Sequence, residues 1–152
     1  MSRNILTLLV AMSCCTLHGS VVDDRLLDSV EFVESSGKHT AVGDGGDALG
    51  AYQFHRSTWA HVSSLRERSK LPVHKYRPGA MQRSIARNYA ATYLKWLEQG
   101  LASHIGRWPT RAELYAAWNM GLDGFRKVRF QLNRCSSDTR RAAEFVASES
   151  QP

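Results

Sequence analysis

From residue 23 onward the apolar positions recur mostly at helical spacing. Asp23 and Asp24 precede Leu26, Leu27, Val30 and Val33, which fall on one face of a helix, and Gly37 stands where a left-handed C-terminal cap belongs. The spacing predicts a short first helix ending around Glu34. Next, Gly43-Asp44-Gly45-Gly46-Asp47 is rich in turn formers, and Leu49-Gly50-Ala51-Tyr52-Gln53-Phe54 alternates larger with smaller side chains. A tight hairpin or an irregular β-like excursion is expected there. Ser57 or Thr58 can cap a helix through about Arg68, and Pro72, Pro78 and Gly79 bracket an irregular connection. Met81, Ile85, Tyr89, Thr92, Tyr93, Trp96 and Leu97 then define a long helix, with Pro78 at its opening and Gly100 at its close.

Thr110-Arg111-Ala112-Glu113 fits a capping box, in which the Thr hydroxyl and the Glu carboxylate each accept from a backbone N–H left orphaned at a helix start. That helix should run to about Asn119 and close at Gly121. Helical spacing returns over 124–132 and again over 137–147, through Ala142, Phe145 and Val146. The expectation is a mainly helical α+β domain with one small β excursion after the first helix. The sequence contains no internal repeat, P-loop or dinucleotide glycine fingerprint.

The start of the chain reads differently. Arg3 supplies a short basic beginning, residues 5–12 are apolar on all sides, and the run is too short to span a bilayer. Residues 1–20 are therefore expected to be a secretory signal, cut near Gly19 or Ser20, with 21–152 forming the domain and no stable membrane insertion after cleavage. A buried N-terminal helix is the weaker alternative, because no polar face and no cap accompany the run. Acylation at Cys14 or Cys15 would make a lipoprotein, a minor alternative, since Ala11-Met12-Ser13 lacks the usual leucine-then-small pattern. The expected location is periplasmic or extracellular.

With 43% hydrophobic and 22% charged residues in 152, the chain can bury a core of its own, and disordered or multi-domain readings are excluded. Twenty Lys and Arg against 14 Asp and Glu give a formal charge of +6. This excess suits an anionic partner such as a wall polymer, nucleic acid or acidic lipid, but the cations are scattered. No basic cluster interleaved with aromatics supports a nucleic-acid binder. Of the 3 cysteines, only Cys135 lies outside the expected signal, so the domain holds no internal disulfide, and Cys135 reads as a small half-buried side chain. His39, His55, His61, His74 and His104 show no metal spacing. Neither a metal nor a cofactor is expected, and the domain is read as a monomer.

Glu34 lies seven residues after Leu27 and four after Val30, so its side chain runs along the edge of the apolar stripe. Partial desolvation disfavours the anion and would keep the carboxyl protonated near neutral pH, able to donate to a leaving oxygen. By position alone an ordinary helix-surface Glu is the better reading. What changes the picture is the ordered context: Glu34-Ser35, the Gly/Asp loop, Gly50-Ala51-Tyr52-Gln53, and Ala117-Trp118-Asn119-Met120-Gly121 far downstream.

That set resembles the lytic transglycosylases and goose-type lysozymes of the lysozyme-like fold. The family has Glu-Ser at a helix end, then Gly-Leu-Met-Gln, then Ala-Tyr-Asn with Gly two residues on, and the resemblance extends from about Leu26 to Gly121. It implies a glycosidase that cuts the β-1,4 link between N-acetylmuramic acid and N-acetylglucosamine in the glycan strands of peptidoglycan, with Glu34 as catalytic acid. In transglycosylases one carboxylate suffices, because the muramic acid C6 hydroxyl attacks and an anhydro sugar results. In goose-type lysozymes an Asp helps position water, and Asp44 matches it, which keeps inverting hydrolysis as an alternative. The resemblance also places Ser35, Tyr52, Gln53, Trp118 and Asn119 at the substrate, the two rings for stacking on sugars. Ala51-Tyr52 in place of Leu-Met implies a repacked groove floor, and Trp118 in place of Tyr removes a phenol. For Asp44 and Asp47 a turn-stabilising role is the plain alternative, and a non-catalytic glycan-binding module is the rival function.

Overall fold

The computed structural model describes residues 19–149; the expected signal over 1–20 therefore lies almost wholly outside the described residues. The domain is mainly helical, with six helices and a small antiparallel sheet inserted after the first, an α+β arrangement. Helix α1 spans Asp24–Ser35. Asp23 caps it, its carboxylate accepting from Leu26 N at 2.9 Å. At the other end Ser36 is the cap residue (φ 53°), its N–H donating to Phe32 O, and Gly37 after it is left-handed as expected (φ 77°). Leu26, Leu27 and Val30 enter the core as expected, while Phe32 faces out.

The excursion is a three-strand meander: β1 (Val42–Gly43), β2 (Ala48–Leu49) and β3 (Phe54–His55) pair in sequence order, with Val42 opposite Leu49 and Leu49 opposite Phe54. The turn from β2 to β3 depends on Gly50. Its φ is +79°, and a Cβ there would lie 1.8 Å from Ala80 O. Only glycine permits this backbone to approach the other so closely.

Helix α2 (Arg56–Arg68) begins two residues earlier than the Ser57 cap position allows, because β3 runs straight into it and His55 is the boundary residue with no side-chain cap. The single long helix expected from Pro78 to Gly100 is instead two. A short helix α3 (Tyr76–Ala80) contains Pro78, and α4 (Arg83–Ile105) follows after a break at Met81 and Gln82. Gly100 does not close α4; Gly106 does, at φ 72°. Gly100 is small for a different reason, since a Cβ there would sit 2.9 Å from Leu122 Cδ2, so the glycine brings the next helix close.

That next helix, α5 (Arg111–Lys127), opens with the expected capping box, Glu113 N donating to Thr110 Oγ1 at 3.2 Å and Thr110 N to Glu113 Oε2 at 2.8 Å. Gly121 interrupts it with φ 73° and ψ 158°, where the sequence placed its end, and the chain then resumes helix. A single turn at Leu132–Arg134 leads to α6 (Ser137–Glu149), which packs on α5 and α1. Cys135 is buried, its thiol directed at Gln131 O.

Aromatic rings form much of the core between α2, α4 and the meander. Trp59 stacks on Tyr89 at 3.6 Å between centroids, and Phe54 meets Trp59 and Trp118 edge-on. Near the start, the buried carboxylate of Glu98 on α4 accepts from Val21 N and from Ser20 Oγ, each at 2.7 Å. No helix among the described residues is long and apolar enough to cross a membrane.

Candidate active site

Helix α1, the meander and α5 converge on an open cleft of about 530 Å³, and it brings Glu34, Asp44, Gln53, Trp118 and Asn119 onto one surface. Glu34 reaches it from the last turn of α1. Its Oε1 accepts two hydrogen bonds from α5, one from Tyr115 Oη at 3.0 Å and one from Trp118 Nε1 at 3.1 Å. Its Oε2 makes no hydrogen bond within the protein and is not sealed from the cleft. Burial pushes the Glu34 pKa up and outweighs the two donors, which favour the anion; the Asp44 charge adds to the rise and His55 opposes it. A carboxyl with one oxygen clamped and the other open, biased toward its protonated form, can deliver a proton to an atom in the cleft.

Trp118 is thus a direct partner of Glu34 through its ring nitrogen. Its ring packs against Phe54, Tyr93 and Tyr52 instead of standing free for a sugar. A phenol is present nearby, since Tyr115 stands one turn before Trp118 on the same face of α5. The ring of Tyr115 is 2% exposed, and burial together with the neighbouring Glu34 charge keeps its hydroxyl protonated. Tyr115 was not singled out from sequence; its spacing of three residues from Trp118 was the available signal.

Tyr52 corrects an expectation. It has no exposed surface, so it cannot stack on a sugar, and it backs the cleft from within the core. Its hydroxyl lies 3.4 Å from Glu31 Oε2 and 3.3 Å from Arg87 Nη1, and Arg83 Nε donates to Glu31 Oε1 at 2.7 Å. This buried group ties the meander turn to α1 and α4. Ser35 corrects another, because its hydroxyl is taken up by Ala51 O at 2.8 Å, away from the cleft lining. The Ser of the Glu-Ser pair therefore fastens the tip of α1 to the turn carrying Gln53, and so positions the two polar groups relative to each other.

Gln53 adopts a left-handed backbone (φ 45°), and its Nε2 donates to Gly50 O at 2.9 Å. Its Oε1 lies so close over Gly43 that a Cβ there would be 2.2 Å away. Asn119 lines the cleft while its Oδ1 accepts from Thr139 Oγ1 at 2.8 Å, which anchors this end of α5 to α6. Asp44, also left-handed (φ 48°), pairs through Oδ2 with His55 Nε2 at 2.9 Å, and its side chain is 69% exposed. The turn itself closes through the backbone, Asp47 N donating to Asp44 O at 3.3 Å. His55 sits at the cleft edge.

Among the described residues no three His, Cys, Asp or Glu side chains come together as a metal site. The clefted carboxyl is thus the chemically distinctive group of the fold, and no family model, curated protein or solved structure matches this chain.

Proposed function

We propose that this chain is a peptidoglycan-cleaving glycosidase, a lytic transglycosylase in which Glu34 is the catalytic acid. The observation that carries the reading is the asymmetry of the Glu34 carboxyl: Oε1 held by Tyr115 and Trp118, Oε2 open to a cleft that also presents Gln53 and Asn119. The protonated carboxyl gives its proton to the bridging oxygen as the bond from the muramic acid C1 breaks. The resulting carboxylate then takes the proton of the C6 hydroxyl while that oxygen closes on C1, returning Glu34 to its starting form. One carboxyl completes the cycle without water. An apolar leader over 1–20 fits an enzyme that meets the wall after export.

Asp44 supports a second reading, inverting hydrolysis. It faces the same cleft, and its charge is felt by Glu34. In that reading Asp44 accepts a proton from the attacking water, with His55 holding its other side. Mass spectrometry of purified sacculi digested with the protein and with Glu34→Gln tests both. Anhydro-muramyl ends that vanish in the variant support transglycosylation, reducing ends that vanish support hydrolysis, and products that persist in Glu34→Gln overturn both. Retained binding without products in the unsubstituted protein assigns a glycan-binding module.

A further inference from the structure

A second concavity lies on the outer face of α2 and α4, and it is built around a buried cation. Arg66 is 6% exposed. Its Nε donates to Pro72 O at 2.9 Å, and Nη1 donates to Asn88 O at 3.1 Å and Thr92 Oγ1 at 2.8 Å; the guanidinium lies over the Tyr89 ring at 4.7 Å. Every partner is neutral. No carboxylate among the described residues comes within ion-pair distance of Arg66, although six other Arg side chains have one. Guanidinium stays charged at any ordinary pH, and an interior charge without a counter-charge is an unfavourable arrangement that a bound anion relieves.

The space next to it suits such an anion. Nη2 of Arg66 makes no hydrogen bond within the protein and is not sealed off, and Arg66 lines a groove of about 630 Å³. Arg68 and Lys95 bring two further cations to the rim, Asn88 and Gln99 bring amides, and no Asp or Glu lines the groove. Trp96 forms an apolar wall and connects the groove to the candidate active site, since its ring stacks on Tyr93, which lines the cleft. Thr58 at the cleft and Arg66 at the groove are eight residues apart on α2, about 12 Å along the helix axis.

We infer that the Arg66 groove is an oxyanion site that takes a carboxylate or phosphate group carried by the strand lying in the cleft. The identity of the strand rests on the proposed glycosidase activity; the anion site itself does not. A wall strand offers both chemistries, carboxylates on its peptide stems and phosphates on attached anionic polymers.

The experiment is a ¹⁵N NMR titration of the purified chain carrying Glu34→Gln, so that binding is read without turnover. The probes are inorganic phosphate, a muramyl disaccharide with its peptide stem, the same disaccharide without the stem, and a glycerol-phosphate oligomer. Saturable shifts at the Trp96 indole and along α2 and α4 are expected. Arg68→Gln and Lys95→Gln, both at exposed positions, should each weaken phosphate binding about fivefold, the value of one nearby charge at about 1 kcal/mol. Tighter binding of the stem-bearing than of the bare disaccharide assigns the carboxylate source, and tighter binding of the glycerol-phosphate oligomer assigns the phosphate source. Absence of saturable shifts, or phosphate binding unchanged in both variants, overturns the site. If the disaccharides fail to bind but phosphate behaves as expected, the glycosidase reading fails and the oxyanion site stands.

Discussion

The Tyr115 hydroxyl and the Trp118 indole N–H meet on the same carboxyl oxygen, Glu34 Oε1, at 3.0 and 3.1 Å. Both favour the anion, so they restrain a rise that burial drives. Removing one should let the pKa climb further. Tyr115→Phe is expected to move the alkaline limb of the pH–rate profile to higher pH, because the acid form then survives longer as pH increases. A limb that stays in place or shifts downward would contradict the assignment of Glu34 as proton donor.

The same carboxyl sets a stability dependence. Its folded-state value lies above the ordinary 4.5, so the native state binds more protons than the unfolded chain, and stability falls as pH rises from about 4.5 through the folded value. Glu34→Gln lacks this fall. The variant should match the parent in thermal midpoint at low pH and exceed it near neutrality, measured by calorimetry across that window. Equal pH dependence in both proteins would show that Glu34 carries no such shift.

Asp44 separates the two mechanistic readings. If the C6 hydroxyl is the nucleophile, Asp44→Asn should leave product release within about tenfold of the parent, since no second base is needed. Removal of a general base instead lowers rate by roughly 10²–10⁴-fold, and a loss of that size, with reducing ends as the normal product, would transfer the chemistry to hydrolysis.

Two glycines of the meander predict opposite kinds of defect. Gly50→Ala places a side chain against Ala80 O at 1.8 Å in a left-handed backbone, so the fold should lose about 1–3 kcal/mol from backbone strain and more from the clash, seen as a lowered denaturation midpoint. Gly43→Ala clashes with the movable Gln53 amide and otherwise meets Ala48 Cβ at an ordinary 3.6 Å. Its denaturation midpoint should stay near the parent's while KM for sacculus fragments rises, and an unchanged KM would remove Gln53 from the substrate contacts.

These outcomes bear on what was legible in the chain. Elements with local signals were placed correctly: the Asp23 cap, the Thr110–Glu113 box and the break at Gly121 are all written in neighbouring residues. The Gly/Asp loop likewise announced the meander. What failed depended on distant partners. Gly100 reads as a helix end because glycine weakens helices, yet Leu122, twenty-two residues on, is what needs the space. Tyr52 reads as a sugar platform until the Glu31, Arg83 and Arg87 group that encloses it is known. Glu34 stands out in the sequence by position and motif, whereas Tyr115 is visible as its donor only once α1 and α5 are brought together.

The Glu98 carboxylate has a consequence for maturation. Val21 now offers it a neutral amide hydrogen. A cut just ahead of Val21 would put an α-ammonium on that same oxygen, exchanging a dipole for a full opposite charge inside the fold. The same cut would remove Ser20, whose hydroxyl holds the other oxygen of Glu98, so one ion pair would stand in for two neutral donors.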